Sequence, residues 1–186
     1  MARPSRMGDI VAASAKVFRE KGFDAARLDD IAQEVGMYKG SIYHYIDSKE
    51  DLLFAVVREP SERILGATRK LVEQELPAEE KLRRLCHLHV EVLVNVTPFA
   101  AVYIEEIAGK HRFPDWEAKD REYMRLVEDI MRELLGDRRD VDPPVAARAL
   151  VGALNWMTRW YRSDGRMDAD QIADQVADVF LGGLRG

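Results

Sequence analysis

The sequence predicts an all-α protein: a small N-terminal domain of three helices and a larger helical C-terminal domain, with about nine helices in total. Apolar residues recur at helical spacing, as at Leu28, Ile31, Ala32 and Val35. Glycine and proline mark helix ends and starts, for example at Gly36. A second short amphipathic segment follows Gly36, so this region has the pattern of a helix-turn-helix motif.

The composition indicates a soluble helical protein without a membrane segment. The chain has 186 residues, of which 47% are hydrophobic and 33% charged, enough for a full core. No apolar run approaches the roughly 20 residues that span a bilayer. No apolar segment follows the first six residues, so we expect no signal peptide. Cys86 is the only cysteine, which excludes an internal disulfide and fits a buried hydrophobe in a reducing compartment. We therefore expect a cytoplasmic protein.

The charge pattern does not by itself suggest a nucleic-acid protein. The formal net charge is −5. Residues 1–50 contain equal numbers of acidic and basic residues, so the excess of acid lies in residues 51–186. Any contact with DNA would depend on a few well-placed cations, not on a broad positive field.

The N-terminal motif has the residues of a known family. The segment Lys39-Gly40-Ser41-Ile42-Tyr43-His44-Tyr45 precedes Ser48-Lys49-Glu50-Asp51-Leu52, and Gly22-Phe23, Asp30-Ile31-Ala32 and Gly36 lie upstream at matching spacings. This pattern resembles the TetR family of bacterial repressors over about the first 55 residues. The resemblance implies that helix one, Asp9 to Lys21, packs behind the motif and that the second motif helix enters the DNA major groove.

Candidate DNA contacts follow from this placement. Lys39, Gly40 and Ser41 begin the recognition helix, the end that usually meets base edges. Tyr43 and His44 can donate to phosphate oxygens, although Tyr43 could instead close a small core. The next helix should begin at Ser48 with a capping box completed by Asp51, which would bring a phosphate to Lys49.

Two positions depart from the family pattern. Arg27 and Tyr38 occupy N-cap positions where the family usually has Ser or Thr. Neither side chain can accept a backbone N–H as a cap does, so each costs about 1 kcal/mol of local stability. We expect Arg27 to meet a phosphate, whereas Tyr38 either contacts DNA or makes no new contact.

The domain boundary is predicted after residue 48, giving domains 1–48 and 49–186. Helix four should run past Asp51 to Val72, with Pro60 either kinking it or dividing it into two helices. The later helices are predicted from Pro77, from Thr97 to Gly109, from Asp115 to Gly136, from Asp142, and from Asp168 to Leu184.

Several side chains of the C-terminal domain are candidates for lining a ligand pocket. These are Phe99, Tyr103, Tyr123 and Met124, because adaptable methionine and polar-tipped aromatic residues can leave a cavity in a bundle. Taken singly, each of these side chains is more often part of an ordinary core. A metal site is not predicted, because His87 and His89 lie two residues apart and point to different sides of a helix.

A second resemblance concerns residues 154–170. The run Leu154-Asn155-Trp156-Met157-Thr158-Arg159-Trp160-Tyr161-Arg162, followed by Gly165, is similar to TetR-type regulators that answer to acyl-coenzyme A esters, although Ser163-Asp164-Gly165 replaces their usual turn. An arginine on an interior helix face needs an anion. Arg159, with Asn155 one turn earlier, could meet such a ligand, or Arg159 could pair with an acid across a dimer.

The last two helices are predicted to form a dimer interface. They are strongly apolar, and the TetR resemblance implies a four-helix bundle with the copies of a partner. The interface candidates are Trp156, Trp160, Val176 and Phe180.

The predicted function is a homodimeric repressor that binds a palindromic double-stranded DNA operator and is released by a small-molecule effector, in the leading interpretation an acyl-CoA. A multidrug-type sensor with a promiscuous apolar pocket is the alternative within the family. A helical scaffold or an enzyme without DNA binding is the alternative outside it. The sequence offers no Ser-His-Asp spacing, phosphate-loop glycines or metal-ligand cluster for catalysis, so we expect neither enzymatic activity nor a cofactor.

Overall fold

The computed structural model describes residues 6–95 and 114–184, and the regular structure of these segments is all helical, with no strand. The helices are α1 (Arg6–Lys21), α2 (Leu28–Val35), α3 (Lys39–Ile42), α4 (Lys49–Val72), α5 (Ala78–Asn95), α6 (Pro114–Leu135), α7 (Pro143–Trp156) and α8 (Ala169–Leu184), with a 3₁₀ turn at Met157–Arg159. The all-α prediction is confirmed, and eight of about nine expected helices lie in the described segments. The predicted helix from Thr97 to Gly109, with Phe99 and Tyr103, falls outside them.

Residues 1–60 form the first compact unit. Its core is apolar and draws on α1, α2, α3 and the segment after α3, with Ile10, Phe18, Ile31 and Ile42 almost fully buried. Gly36 ends α2 with φ +67°, a conformation that glycine adopts without steric cost. The predicted helix stop is confirmed, and it permits the tight turn into α3.

Helix α4 is one helix that contains Pro60. The division between the two compact units also falls at this proline, since the second unit comprises residues 61–186. The sequence placed the boundary after residue 48, at the start of the same helix.

The second unit has one large apolar core built from α4 to α8, with Leu85, Val127, Leu150 and Ala177 completely buried. Helix α7 begins where predicted, because the Asp142 carboxylate accepts the Val145 N–H at 3.0 Å and proline follows at the first helical positions. Cys86 is buried here, and burial raises the pKa of its thiol to about 12, as expected for a structural cysteine.

Among the helices of the described segments, none combines the length and the apolar character needed to cross a membrane.

Candidate functional site

A group of exposed side chains surrounds α3. Ile42 and Ile46 are buried and hold this segment against the first unit's core. The residues around them that face outward are Arg27, Tyr38, Lys39, Gly40, Tyr43 and His44, which we call the recognition surface. Ser41 is half-buried beside them. Tyr38 is 88% exposed and Tyr43 50% exposed, so neither serves mainly to fill a core. The surface combines cations with ring donors, the groups that contact phosphates and bases.

The two unusual N-cap positions behave as expected from the sequence. Neither Arg27 nor Tyr38 makes a side-chain cap hydrogen bond. At α2 the other half of a capping box is present, because the Asp30 carboxylate accepts the Arg27 N–H at 2.9 Å. Hydrogen bonds from Lys21 and from this N–H lower the pKa of Asp30. Both positions therefore leave their side chains free to project outward.

Lysines of this unit are paired with acids of α2. The Lys39 ammonium lies 2.9 Å from Asp29 Oδ2, and the hydrogen bond raises the pKa of Lys39. Lys16 pairs with Glu34 at 2.7 Å. Part of the neutral charge balance read from the sequence therefore consists of specific ion pairs.

Lys49 has internal partners that the sequence does not reveal. Its ammonium donates to the carbonyls of Phe23 at 2.6 Å and Ala26 at 3.0 Å, and it lies 4.1 Å from the centre of the Phe23 ring. The predicted capping box beside it is confirmed: Asp51 accepts the Ser48 N–H at 2.7 Å and donates its own N–H to Ser48 Oγ at 3.3 Å. Lys49 therefore braces the α1–α2 connection, and its phosphate contact stays a prediction.

Gly40 has no conformational or steric reason to be glycine in the folded chain. Its φ lies outside the left-handed region, and a Cβ added to it would meet no atom within 4 Å. The missing side chain leaves the backbone of α3 open to an approaching molecule.

Tyr123 and Asn155, two predicted ligand residues, are joined by the buried His89. The buried Tyr123 hydroxyl lies 2.7 Å from His89 Nδ1, and His89 Nε2 lies 3.0 Å from Asn155 Oδ1. Since the Asn155 oxygen only accepts, Nε2 carries the proton and Nδ1 accepts from Tyr123. Burial lowers the pKa of His89 to about 4, with a smaller opposing effect of the Asn155 hydrogen bond, so this histidine is neutral.

The other two described ligand candidates, Met124 and Arg159, lie in different environments. Met124 is partly buried against the main core. Arg159 is exposed, and its guanidinium carbon lies 5.6 Å from the Trp156 ring centre. In the single chain Arg159 therefore does not lie on an interior helix face, because α7 ends at Trp156 and the 3₁₀ turn Met157–Arg159 follows. Its contact with a ligand or with an acid of a partner stays a prediction.

An open apolar groove of about 490 Å³ has α8 on one side. The other side is formed by the end of α7 and the segment that follows α7. Three of the four predicted dimer residues line it: Trp160, Val176 and Phe180. Trp156, the fourth, is 62% exposed. None of the described ligand candidates lines this groove. In residues 6–95 and 114–184 no cluster of three metal-ligating side chains occurs, and both His87 nitrogens are instead hydrogen-bonded, to Asp170 and Asp174.

Comparison with known proteins gives two family matches. The description "Bacterial regulatory proteins, tetR family" matches residues 10–56, and "Tetracyclin repressor-like, C-terminal domain" matches residues 75–184. The HTH-type transcriptional repressor KstR2 of Mycolicibacterium smegmatis is 26% identical over 187 residues, covering 97% of this chain and 91% of that protein.

Solved structures agree in fold. The TetR family transcriptional regulator PfmR from Thermus thermophilus is 32% identical, with a TM-score of 0.79 over 93% of this chain and 97% of that one. AibR, solved in complex with isovaleryl coenzyme A and operator DNA, has a TM-score of 0.77 over 94% of this chain and 97% of that one, and its 23% identity supports the fold alone. Because the C-terminal family match alone covers more than half of the sequence, this chain belongs to the TetR family and is a transcriptional regulator, not an enzyme.

Proposed function

We propose that this chain is a repressor that binds a palindromic operator as a homodimer and is released by an acyl-CoA ester. The observation that carries the proposal is the recognition surface, in which polar, basic and aromatic side chains face outward around a glycine that the fold itself does not require. A surface of this composition suits DNA better than it suits a catalytic cleft.

Each exposed group has a role in this proposal. Lys39, Gly40 and Ser41 approach base edges, with Gly40 allowing the backbone close to the groove. Tyr38 contacts a base, sugar or phosphate. Arg27, Tyr43, His44 and Lys49 contact the phosphate backbone and fix the register of α3. In a dimer the two copies of α3 would meet half-sites about one helical turn apart, roughly 34–36 Å.

The homodimer is supported by exposed apolar surface at the end of the second unit. Trp156 and Trp160 are 62% and 50% exposed in the single chain, and they lie on or beside the groove lined by Val176 and Phe180. Aromatic side chains clustered with other apolar groups are typical of interfaces between subunits. A second copy of this chain is the occupant that the proposal assigns to this surface.

The acyl-CoA effector is proposed from the ligand candidates of the second unit and from a structural neighbour, AibR. Tyr123, Met124, Asn155 and Arg159, with Phe99 and Tyr103 outside the described residues, are the ligand candidates. AibR was solved with isovaleryl coenzyme A, and its fold is the fold of this chain. Helix α4 includes residues of both compact units. An ester that binds only one arrangement of α4 would shift the population away from the arrangement that fits the operator.

Selection of binding sequences from random duplex DNA tests the proposal. The purified protein should enrich a palindrome whose half-sites are about one helical turn apart, and it should bind that duplex as a dimer. Enrichment of no sequence above the starting pool, with the protein folded, would contradict operator binding and would favour the scaffold alternative.

A further inference from the structure

The ion pair between Lys39 and Asp29 lies on the side of the chain assigned to DNA. Asp29 is in the first turn of α2 and Lys39 is the first residue of α3, and their charged atoms are 2.9 Å apart. Both side chains are well exposed, at 46% for Lys39 and 61% for Asp29. An ion pair this exposed adds little to folding stability. Its effect is therefore to be sought in what Lys39 can bind.

A carboxylate beside a lysine affects the binding of that lysine to DNA phosphates and to base edges differently. A phosphate that binds Lys39 must either displace Asp29 or approach its negative charge, and both lower the affinity. A guanine edge is an uncharged acceptor in the major groove. Because an ammonium has three donors, Lys39 can keep its hydrogen bond to Asp29 and still donate to a guanine O6 or N7.

The charge pattern of the unit points the same way. Lys16 and Lys21 are also held by acids of α2, at 2.7 and 2.8 Å from Glu34 and Asp30. Of these three lysines only Lys39 belongs to the recognition surface, and because Asp29 neutralises it, Lys39 adds little counterion release on arbitrary DNA. Discrimination between sequences then depends more on base contacts.

We propose that Asp29 is a specificity-determining residue, which directs the Lys39 ammonium to base edges and keeps it from phosphates. This inference rests on the proposed operator binding and adds a role for an acidic residue in it.

The test compares the selected operator with a scrambled duplex of the same length, over a range of salt concentrations. In Asp29→Asn the freed Lys39 should bind a phosphate in each half-site. Affinity for scrambled DNA should then rise about tenfold at roughly 0.15 M salt, and the slope of log K against log salt should steepen by about two for the dimer. Operator affinity should change less than about threefold, so the ratio of the two affinities falls.

Two variants make the test specific. Glu34→Gln changes the net charge by the same amount and frees Lys16 of α1, which is not part of the recognition surface, so it should leave the affinity ratio unchanged. Lys39→Gln should weaken operator binding while scrambled-DNA affinity stays within about twofold, because Lys39 makes no phosphate contact in the parent protein. In the Lys39→Gln background, Asp29→Asn should have no further effect on the ratio.

Three outcomes overturn the inference: an unchanged ratio in Asp29→Asn, an equal fall in Glu34→Gln, or a persisting Asp29→Asn effect without Lys39. These failures are distinguishable from failure of the proposed function. If the parent protein selects an operator and Asp29→Asn keeps the ratio of operator affinity to scrambled-DNA affinity, only the role of Asp29 is contradicted. If the parent protein selects no sequence, operator binding fails and this inference fails with it.

Discussion

A substitution at Gly40 should separate an effect on folding from an effect on DNA binding. Replacement by alanine should leave the fold intact and raise its stability by up to about 1 kcal/mol, since alanine favours a helix and the added Cβ meets no atom. The same methyl group would lie between the backbone and a DNA groove, and we expect at least roughly tenfold weaker operator binding. Fluorescence anisotropy and urea unfolding measure the two effects.

Gly66→Ala is the matched control for Gly40→Ala, because Gly66 also lies in a helix with open space around its Cβ position. It should gain similar stability and leave DNA affinity unchanged. Operator binding by Gly40→Ala at the parent affinity would contradict the assignment of this backbone to the groove.

Lys39 and Lys49 should differ in their effect on stability. Lys49→Met removes hydrogen bonds to two carbonyls and should destabilise the first unit by about 2 kcal/mol as well as weaken operator binding. Lys39→Ala breaks only an exposed pair and should leave the stability of the first unit nearly unchanged. Denaturant unfolding followed through a probe in residues 6–60 distinguishes them. Full stability of Lys49→Met would contradict a stabilising role for its two carbonyl hydrogen bonds.

At this scale the sequence predicted residues whose roles depend on local spacing. The capping box of Ser48 and Asp51 spans three residues, and the missing side-chain caps at Arg27 and Tyr38 follow from the residue types alone. The Lys49 contacts span 23 and 26 residues, so only the folded α1–α2 connection reveals them. The exposed position of Arg159 in the single chain could not be predicted from helical periodicity, because a 3₁₀ turn follows α7.

Helices α5 and α8 are joined by charged pairs in addition to their apolar contact. Arg83 lies 2.5 Å from Asp178, and His87 contacts both Asp174 and Asp170. The acids are four residues apart, so they share one face of α8. Helix ends were predictable from Gly36, Gly136 and the Asp142 cap, whereas this pairing of two helices more than 80 residues apart was not.

The pairing of His87 should make stability fall above neutral pH. Partial burial lowers the pKa of His87, but the hydrogen bonds to Asp174 and Asp170 outweigh it, so the folded pKa lies above 6.5. A raised pKa gives stability that is complete below 6.5 and is lost as pH rises through the folded value. The melting temperature of the parent protein should therefore fall more between about pH 6.5 and 8 than that of His87→Asn. Parallel curves for the two proteins would contradict this.

His89 should act in the opposite direction on the acid side. Burial lowers its pKa to about 4, so between pH 6.5 and 4 the unfolded chain takes up a proton that the folded chain does not. Stability from this group is lost as pH falls through that window. His89→Gln should lower stability near neutral pH but flatten the decline from about pH 6.5 to 4.5 in thermal melts. An unaltered acid decline in His89→Gln would sink this assignment.

For the whole molecule, the groove at the end of α7 predicts the oligomeric state. Val179 is 70% exposed and lines the groove, so Val179→Asp should fold normally and shift the protein from dimer to monomer. Val145 is 64% exposed and does not line the groove, and Val145→Asp should remain a dimer. Sedimentation velocity at micromolar concentration compares them. A monomeric parent protein, or equal behaviour of both variants, would contradict the proposed interface.

The central claim is that an acyl-CoA ester releases this regulator from its operator. The most direct measurement is anisotropy of the labelled, selected operator bound to the parent protein, titrated with acyl-CoA esters of varied chain length and ring content, with free coenzyme A and the free acids as controls. One class of ester should release the operator at a concentration where both controls leave the complex intact. Binding of the operator that no ester disturbs, with release by unrelated apolar compounds, would contradict the acyl-CoA assignment and identify a multidrug-type sensor.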